Sequence, residues 1–244
     1  MLTDHPLYYL SANAAHNDDY HSRATEAMNP TPASAQDGRY IYRLAGYDGE
    51  VQVDCTPFDQ STYESVTTVR NTGDTPWTLD RLSSGYVTGI GRGGKPWHQK
   101  RFVLHTCDSS WQGEGQWRSD YIENFGVYPT YNHGTQRSWR IGSVGSWTTC
   151  RHYPMIMLED TALGETWYFE IATHASWYIE INVGGYRSDL WLNVLLSACH
   201  EGHDGWHYEL QAGESYTAPL AIYGKVKGGF EEAVTTLYAI RPEE

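Results

Sequence analysis

The sequence predicts an all-β sandwich, and three observations carry that prediction. Turn formers are plentiful, with 24 Gly and 10 Pro, and turn signals recur about every ten residues. Aromatic residues are abundant, with 10 Trp, 19 Tyr and 5 Phe against 4 Met. Between the turns, apolar and polar residues alternate with the period of two that a half-buried strand requires. A chain of 244 residues holds one large β domain or two small ones and buries a substantial core.

The first 38 residues form a polar N-terminal arm. Residues 11–38 are rich in Ala, Asn, Ser, Asp and Pro, with Asn29-Pro30-Thr31-Pro32 among them, and read as a long loop or a loosely attached arm. The sandwich is expected over 39–227. Tyr40, Tyr42 and Leu44 begin it, and Val51, Val53 and Cys55 continue it by alternation. Tyr63–Val69, the turn residues Asn71-Thr72-Gly73-Asp74, and Trp77–Leu82 read as strand, tight turn, strand. Arg101–Cys107 is a further strand. Thr166–His174 and Ser176–Val183 carry the strongest strand signals. In the second, Trp177, Ile179, Ile181 and Val183 share one face, and Tyr178, Glu180 and Asn182 share the other. Leu190–Ala198 is nearly continuously apolar, as in a strand covered on both faces.

Near the end the period changes. Trp206, Tyr208 and Leu210 alternate with His207, Glu209 and Gln211. Ala212-Gly213-Glu214-Ser215 turns the chain, and Tyr216–Val226 reads as another strand. Then Phe230, Val234, Leu237, Tyr238 and Arg241 fall three and four apart, the stripe of an amphipathic helix opened by Gly228-Gly229. A β domain that switches to helix and then stops has the look of a piece cut at a boundary. Residues 228–244 therefore read as a helical linker.

Composition excludes several classes. The formal charge of −13 argues against nucleic acid as a partner, because phosphate binding needs a basic surface. Cys55, Cys107, Cys150 and Cys199 are widely spaced and include no C-x-x-C pair, so a structural zinc site is not expected. They read as free, mostly buried thiols in a reducing cytoplasm, with a disulfide left open. Met1–Leu10 lacks a basic start followed by an apolar run, so no signal peptide is evident. No stretch approaches ~18 apolar residues, so no membrane helix is expected.

Two segments imitate known sites. Gly89–Gly94 (G-I-G-R-G-G) has the look of a phosphate-binding loop, but Lys95-Pro96-Trp97 cannot start a dinucleotide helix, so it reads as a loop between strands. His200, His203 and His207, with Glu201 and Asp204 between them, imitate a metal cluster. Their first spacing is three, not the four of a zinc-protease helix, and the segment reads as a solvated loop. No metal and no cofactor are expected. No G-x-S-x-G elbow occurs. Carboxylate pairs for glycoside chemistry must face each other across a pocket, which sequence spacing does not reveal. On composition Asp80, Glu114, Asp120, Glu123, Glu159, Glu165 and Glu170 are all candidates, and each by itself reads as a surface or loop carboxylate.

Trp111-Gln112-Gly113-Glu114-Gly115-Gln116-Trp117-Arg118 stands apart. It gathers two Trp, two Gly, two Gln, a Glu and an Arg in eight residues just past a strand. Tryptophan stacks on the apolar faces of sugar rings, and amide, carboxylate and guanidinium groups bind hydroxyls. A carbohydrate contact in a glycine-flanked loop and plain structural packing are both open readings of this segment.

Several blocks together resemble a known family. Val66–Ser84 resembles the strand-turn-strand with a terminal Ser in the N-terminal domain of family 36 glycoside hydrolases, the bacterial α-galactosidases. The G-E-G-Q-W-R segment resembles that family's G-x-W-x-R-E region. Ile141–Thr149, leading to Pro154, resembles its S-x-x-G-x-S block, and Gly164-Glu165-Thr166-Trp167 its G-E-x-x-G segment. Leu210–Pro219 resembles its L-x-P-G-E-S-F-x-T-P hairpin, and Gly228–Arg241 the helix that leads to the barrel. The resemblance covers about residues 60–242.

The resemblance implies a large β-supersandwich, galactose mutarotase-like, with a short C-terminal helix, placed before a (β/α)8 catalytic barrel that is absent from this chain. It implies that the two catalytic Asp residues belong to the barrel, whose K-W-D-type motif has no counterpart here, so this chain supplies no catalytic residue. It implies that the sandwich helps assemble homo-oligomers and that its loops can reach a sugar site. On the matched segment this makes Trp117, Gln116, Arg118 and Trp111 the candidate residues for contact with an α-galactoside. The intact enzyme would hydrolyse terminal α-galactosides with retention, through a covalent glycosyl-Asp. Two other readings stand beside it. One is a free-standing carbohydrate-binding module. The other is a mutarotase-like epimerase using a His and a carboxylate as acid and base.

Overall fold

The computed structural model describes residues 7–12, 31–44, 48–93, 95–110, 112–128, 138–145, 151–186, 189–200 and 204–240. The strands among them are β1 (Leu10–Ala12), β2 (Ser34–Gln36), β3 (Arg39–Arg43), β4 (Gly49–Pro57), β5 (Thr62–Asn71) and β6 (Trp77–Leu82). They continue as β7 (Gly85–Ile90), β8 (Phe102–Ser110), β9 (Gly113–Tyr121), β10 (Ser138–Ser143), β11 (His152–Asp160) and β12 (Glu165–Ala172). The last are β13 (Trp177–Tyr186), β14 (Asp189–Ser197), β15 (Cys199–His200), β16 (Tyr208–Leu210), β17 (Ser215–Thr217) and β18 (Leu220–Lys227), followed by the helix α1 (Phe230–Ile240).

A ten-stranded antiparallel sheet, ordered β2-β3-β4-β5-β18-β12-β11-β8-β9 with β17 beside β5, forms one layer. Two four-stranded sheets form the other, β10-β13-β14-β7 and β1-β6-β15 with β16 on β6. The chain passes between these two smaller sheets through buried Ser83 and Ser84. Their amides donate to Tyr9 O at 2.9 Å and Leu196 O at 2.8 Å, so the second layer is continuous across the join.

The inner face of the large sheet meets each smaller sheet in its own core. Leu104, Leu158 and Phe169 pack against Trp177, Ile179, Ile181 and Leu192 in one core. Tyr42, Val51, Val53 and Val69 pack against Leu10, Leu79, Leu82 and Leu210 in the other. β13 thus buries the face the alternation assigned to the core. Its opposite face is buried at Tyr178 and Glu180, where Tyr178 lies beneath the Arg140 guanidinium at 4.8 Å and Glu180 pairs with Arg140 at 2.6 Å. β14 is buried on both faces from Trp191 to Ser197, as its apolar run predicted.

Four expectations change in detail. β5 and β6 do not pair with each other. The turn after Asn71 carries the chain from one layer to the other, and sequence cannot distinguish such a crossing from a hairpin. Both ends of the N-terminal arm join the sheets, as β1 and β2, with Tyr8 and Leu10 buried. The expected strand 216–226 is split at Pro219 into β17 and β18. Both halves pair with β5, and between them the three residues 218–220 oppose the two residues 66 and 67. Gly213, at φ +77°, makes the turn before β17. On α1 the buried residues are Ala233, Leu237 and Ile240, while Tyr238 is exposed and Arg241 lies outside the described residues. The helix sits on the outer face of the large sheet, over Met155, Met157, Tyr168 and Ile222.

In the G-I-G-R-G-G segment the first two residues finish β7, Gly91–Gly93 form a loop as expected, and Gly94 lies outside the described residues. A phosphate loop points amide N–H groups inward. Here the carbonyls of Gly91, Gly93 and Lys95 converge on Arg101 Nη1 at 3.1, 2.9 and 2.5 Å. The same guanidinium forms a buried bidentate pair with Asp160, at 2.9 and 2.6 Å.

Candidate functional site

The candidate segment is a strand rather than a loop. Gly113–Tyr121 forms β9, the edge strand of the large sheet, paired along its length with β8. Period-two alternation therefore sorts its side chains onto opposite faces. Trp111 lies outside the described residues. The structure does not bring Trp117 together with Gln116 and Arg118.

Trp117 points outward, toward α1. Its half-buried ring packs edge-on against Phe230, with centroids 4.6 Å apart. Beside it on the same face, His105 of β8 is buried and stacked on Phe230. His105 Nδ1 lies 2.7 Å from Ser119 Oγ, and Nε2 lies 3.2 Å from Glu159 Oε2. A neutral ring protonated on Nε2 satisfies both, donating to the carboxylate and accepting from the hydroxyl. Burial lowers the His105 pKa, and Glu159 pulls it partly back.

Gln116 and Arg118 point to the inner face and are exposed. Arg118 Nε donates to Asp108 Oδ2 at 2.7 Å, and His152 Nδ1 donates to Asp108 Oδ1 at 2.9 Å. Asp108 is thereby bridged to both neighbouring strands. Both of its ladders break step there. On the β9 side the register shifts between Asp108 and Ser109, and on the β11 side between His152 and Ile156. Bulges re-aim side chains out of the regular pleat.

Asp108, His152 and His105 carried no functional signal in the sequence, and Glu159 only that of composition. Asp108 and His152 are 44 residues apart, so only the β8–β11 register joins them. Of the carboxylates named above, Glu165 pairs with Lys225 at 2.6 Å and Glu123 accepts the Lys100 amide at 2.7 Å, both structural roles. Asp80 and Glu170 are buried in strands instead of lying at the surface. His203 lies outside the described residues, and exposed His207 bonds the Gly205 carbonyl. No group of three metal-ligating side chains occurs among the described residues. No helix of the described residues is long and apolar enough to cross a membrane.

Neither a protein-family profile nor a curated protein matches this sequence. Solved structures do. The α-galactosidase from Lactobacillus brevis superposes with a TM-score of 0.63 at 12% identity, covering 96% of this chain and 28% of that one. The chain shares its fold with the GH36 α-galactosidases. AgaB, a GH36 α-galactosidase from Geobacillus stearothermophilus, gives a TM-score of 0.63 at 15% identity over 87% of this chain and 28% of its own. The galactosidase domain of the α-galactosidase-sucrose kinase AgaSK gives 0.58 at 14% identity over 91% of this chain and 27% of its own. The chain therefore spans just over a quarter of the α-galactosidases it matches. At such identities the likeness is one of architecture, the β-sandwich with its short terminal helix.

Proposed function

We propose that this chain is the N-terminal sandwich domain of an α-galactosidase-like retaining glycoside hydrolase and is non-catalytic by itself. The observation that carries the reading is the pairing of coverages. Nearly all of this chain, 96%, matches only 28% of an α-galactosidase. The six sequence blocks, in family order, support the same assignment. Three further statements belong to the proposal. The domain supports a homo-oligomer in the cytoplasm. The intact enzyme acts on an α-galactoside, and related GH36 α-galactosidase variants have been crystallised with stachyose and raffinose. The Trp111–Arg118 segment lies near bound sugar, with Gln116 and Arg118 on the open inner face as the contacting groups and Trp117 bracing the strand from behind.

The test has two arms. Expression of the chain together with the reading frame that follows Glu244 is expected to give a product that cleaves an aryl α-galactoside with retention. The 244-residue chain alone is expected to show no turnover above buffer. Turnover by the short chain that survives repurification overturns the reading. Light scattering of the longer product checks the oligomer.

A further inference from the structure

We propose that Asp108, His152 and Arg118, flanked by Gln116, form a subsite for a neutral sugar on the inner face of the large sheet. The proposal rests on the glycosidase reading and extends it to residues on three different strands.

Asp108 is a carboxylate and only accepts, so the 2.9 Å contact fixes the His152 proton on Nδ1. Nε2 is left facing outward, and no described residue bonds it. Arg118 uses Nε on Asp108, and its terminal nitrogens have no partner among the described residues, on a side chain that is 74% exposed. A guanidinium held by one nitrogen offers its remaining donors in a fixed plane, the arrangement that takes two adjacent hydroxyls.

Independent irregularities in the β8–β9 and β8–β11 ladders meet at Asp108. A surface ion pair needs neither. Together they turn the side chains of three strands onto one point.

Charge selects the ligand class. The carboxylate of Asp108 and the guanidinium of Arg118 cancel, and the chain as a whole carries −13. An anion gains little there. A neutral polyol, whose hydroxyls both donate and accept, finds donors at Arg118, the free ring nitrogen of His152 and both kinds of group at Gln116.

The experiment is a titration of the 244-residue chain with D-galactose, followed by the His152 ring nitrogens in NMR and by calorimetry, with D-galacturonate as the charged comparison. Saturable binding that moves Nε2 is expected. Arg118→Met and His152→Phe are each expected to weaken it about tenfold. Arg118→Met should leave the melting temperature within a degree or two, because its side chain is exposed. Absence of a saturable shift, unchanged affinity in Arg118→Met, or tighter binding of galacturonate overturns the subsite. None of these results touches the domain assignment, which the activity of the longer product tests separately.

Discussion

His105 and Phe230 stack with ring centroids 4.7 Å apart and planes 25° from parallel, so the outer face of the large sheet is joined to the first residue of α1 through one buried imidazole. Glu159, on the neighbouring strand, holds the other side of that ring and is the titratable group paired with it. The first residue of the helix thus rests on a titratable ring as well as on Trp117.

The sign of that coupling follows from burial. The His105 pKa is lowered from its ordinary 6.5, so the folded state binds fewer protons than the unfolded state in the acid range. Its stabilising contribution is present above pH 6.5 and is lost as pH falls through the folded value. Thermal melts between about pH 5 and 8 should show a decline in the wild type that is shallower in His105→Gln. Parallel curves for the two proteins would show that His105 does not titrate on unfolding.

Trp117→Ala should lower stability by about 2 kcal/mol, roughly half the value for a fully buried aromatic, because the ring is half-buried against Phe230. Galactose affinity should stay unchanged. Lost affinity at preserved stability would return Trp117 to the sugar-contacting set.

Ile179 is fully buried between the layers. Ile179→Ala should cost ~2–5 kcal/mol in urea melts. A change below about 0.5 kcal/mol is what exposed positions give, and it would refute the register of β13.

Asp160→Asn should cost about 3–5 kcal/mol, since it leaves the buried Arg101 guanidinium without its countercharge. Arg101→Met combined with Asp160→Leu should cost less than Asp160→Asn alone. If the double variant is the less stable of the two, the three carbonyls that Arg101 gathers matter more than the ion pair.

Much of the fold was legible because one physical signal, alternation, is local. Trp177–Val183 and Leu190–Ala198 show it directly, and so does the change of period at Phe230. Layer assignment was not legible. Nothing local to Asn71–Asp74 tells a hairpin from a crossing, since both need the same turn chemistry. The site was half legible for a similar reason. Composition marked Gln116, Trp117 and Arg118 but not the strand that sends them to opposite faces. Asp108 and His152 meet only through inter-strand register, which a single sequence does not encode locally.

Strand β18 sits between β5 and β12, so Tyr223 pairs with Tyr63 on one side and Phe169 on the other. The two halves of the large layer are therefore unjoined until nearly all of the domain has been synthesised. On the ribosome, β2 through β5 must wait with an open seam while some 150 further residues emerge, and strand pairings this remote are slow to form. The nascent protein is exposed to mispairing throughout that interval. A chain ended before Leu220 should be insoluble rather than merely less stable, because it lacks the strand that closes the seam.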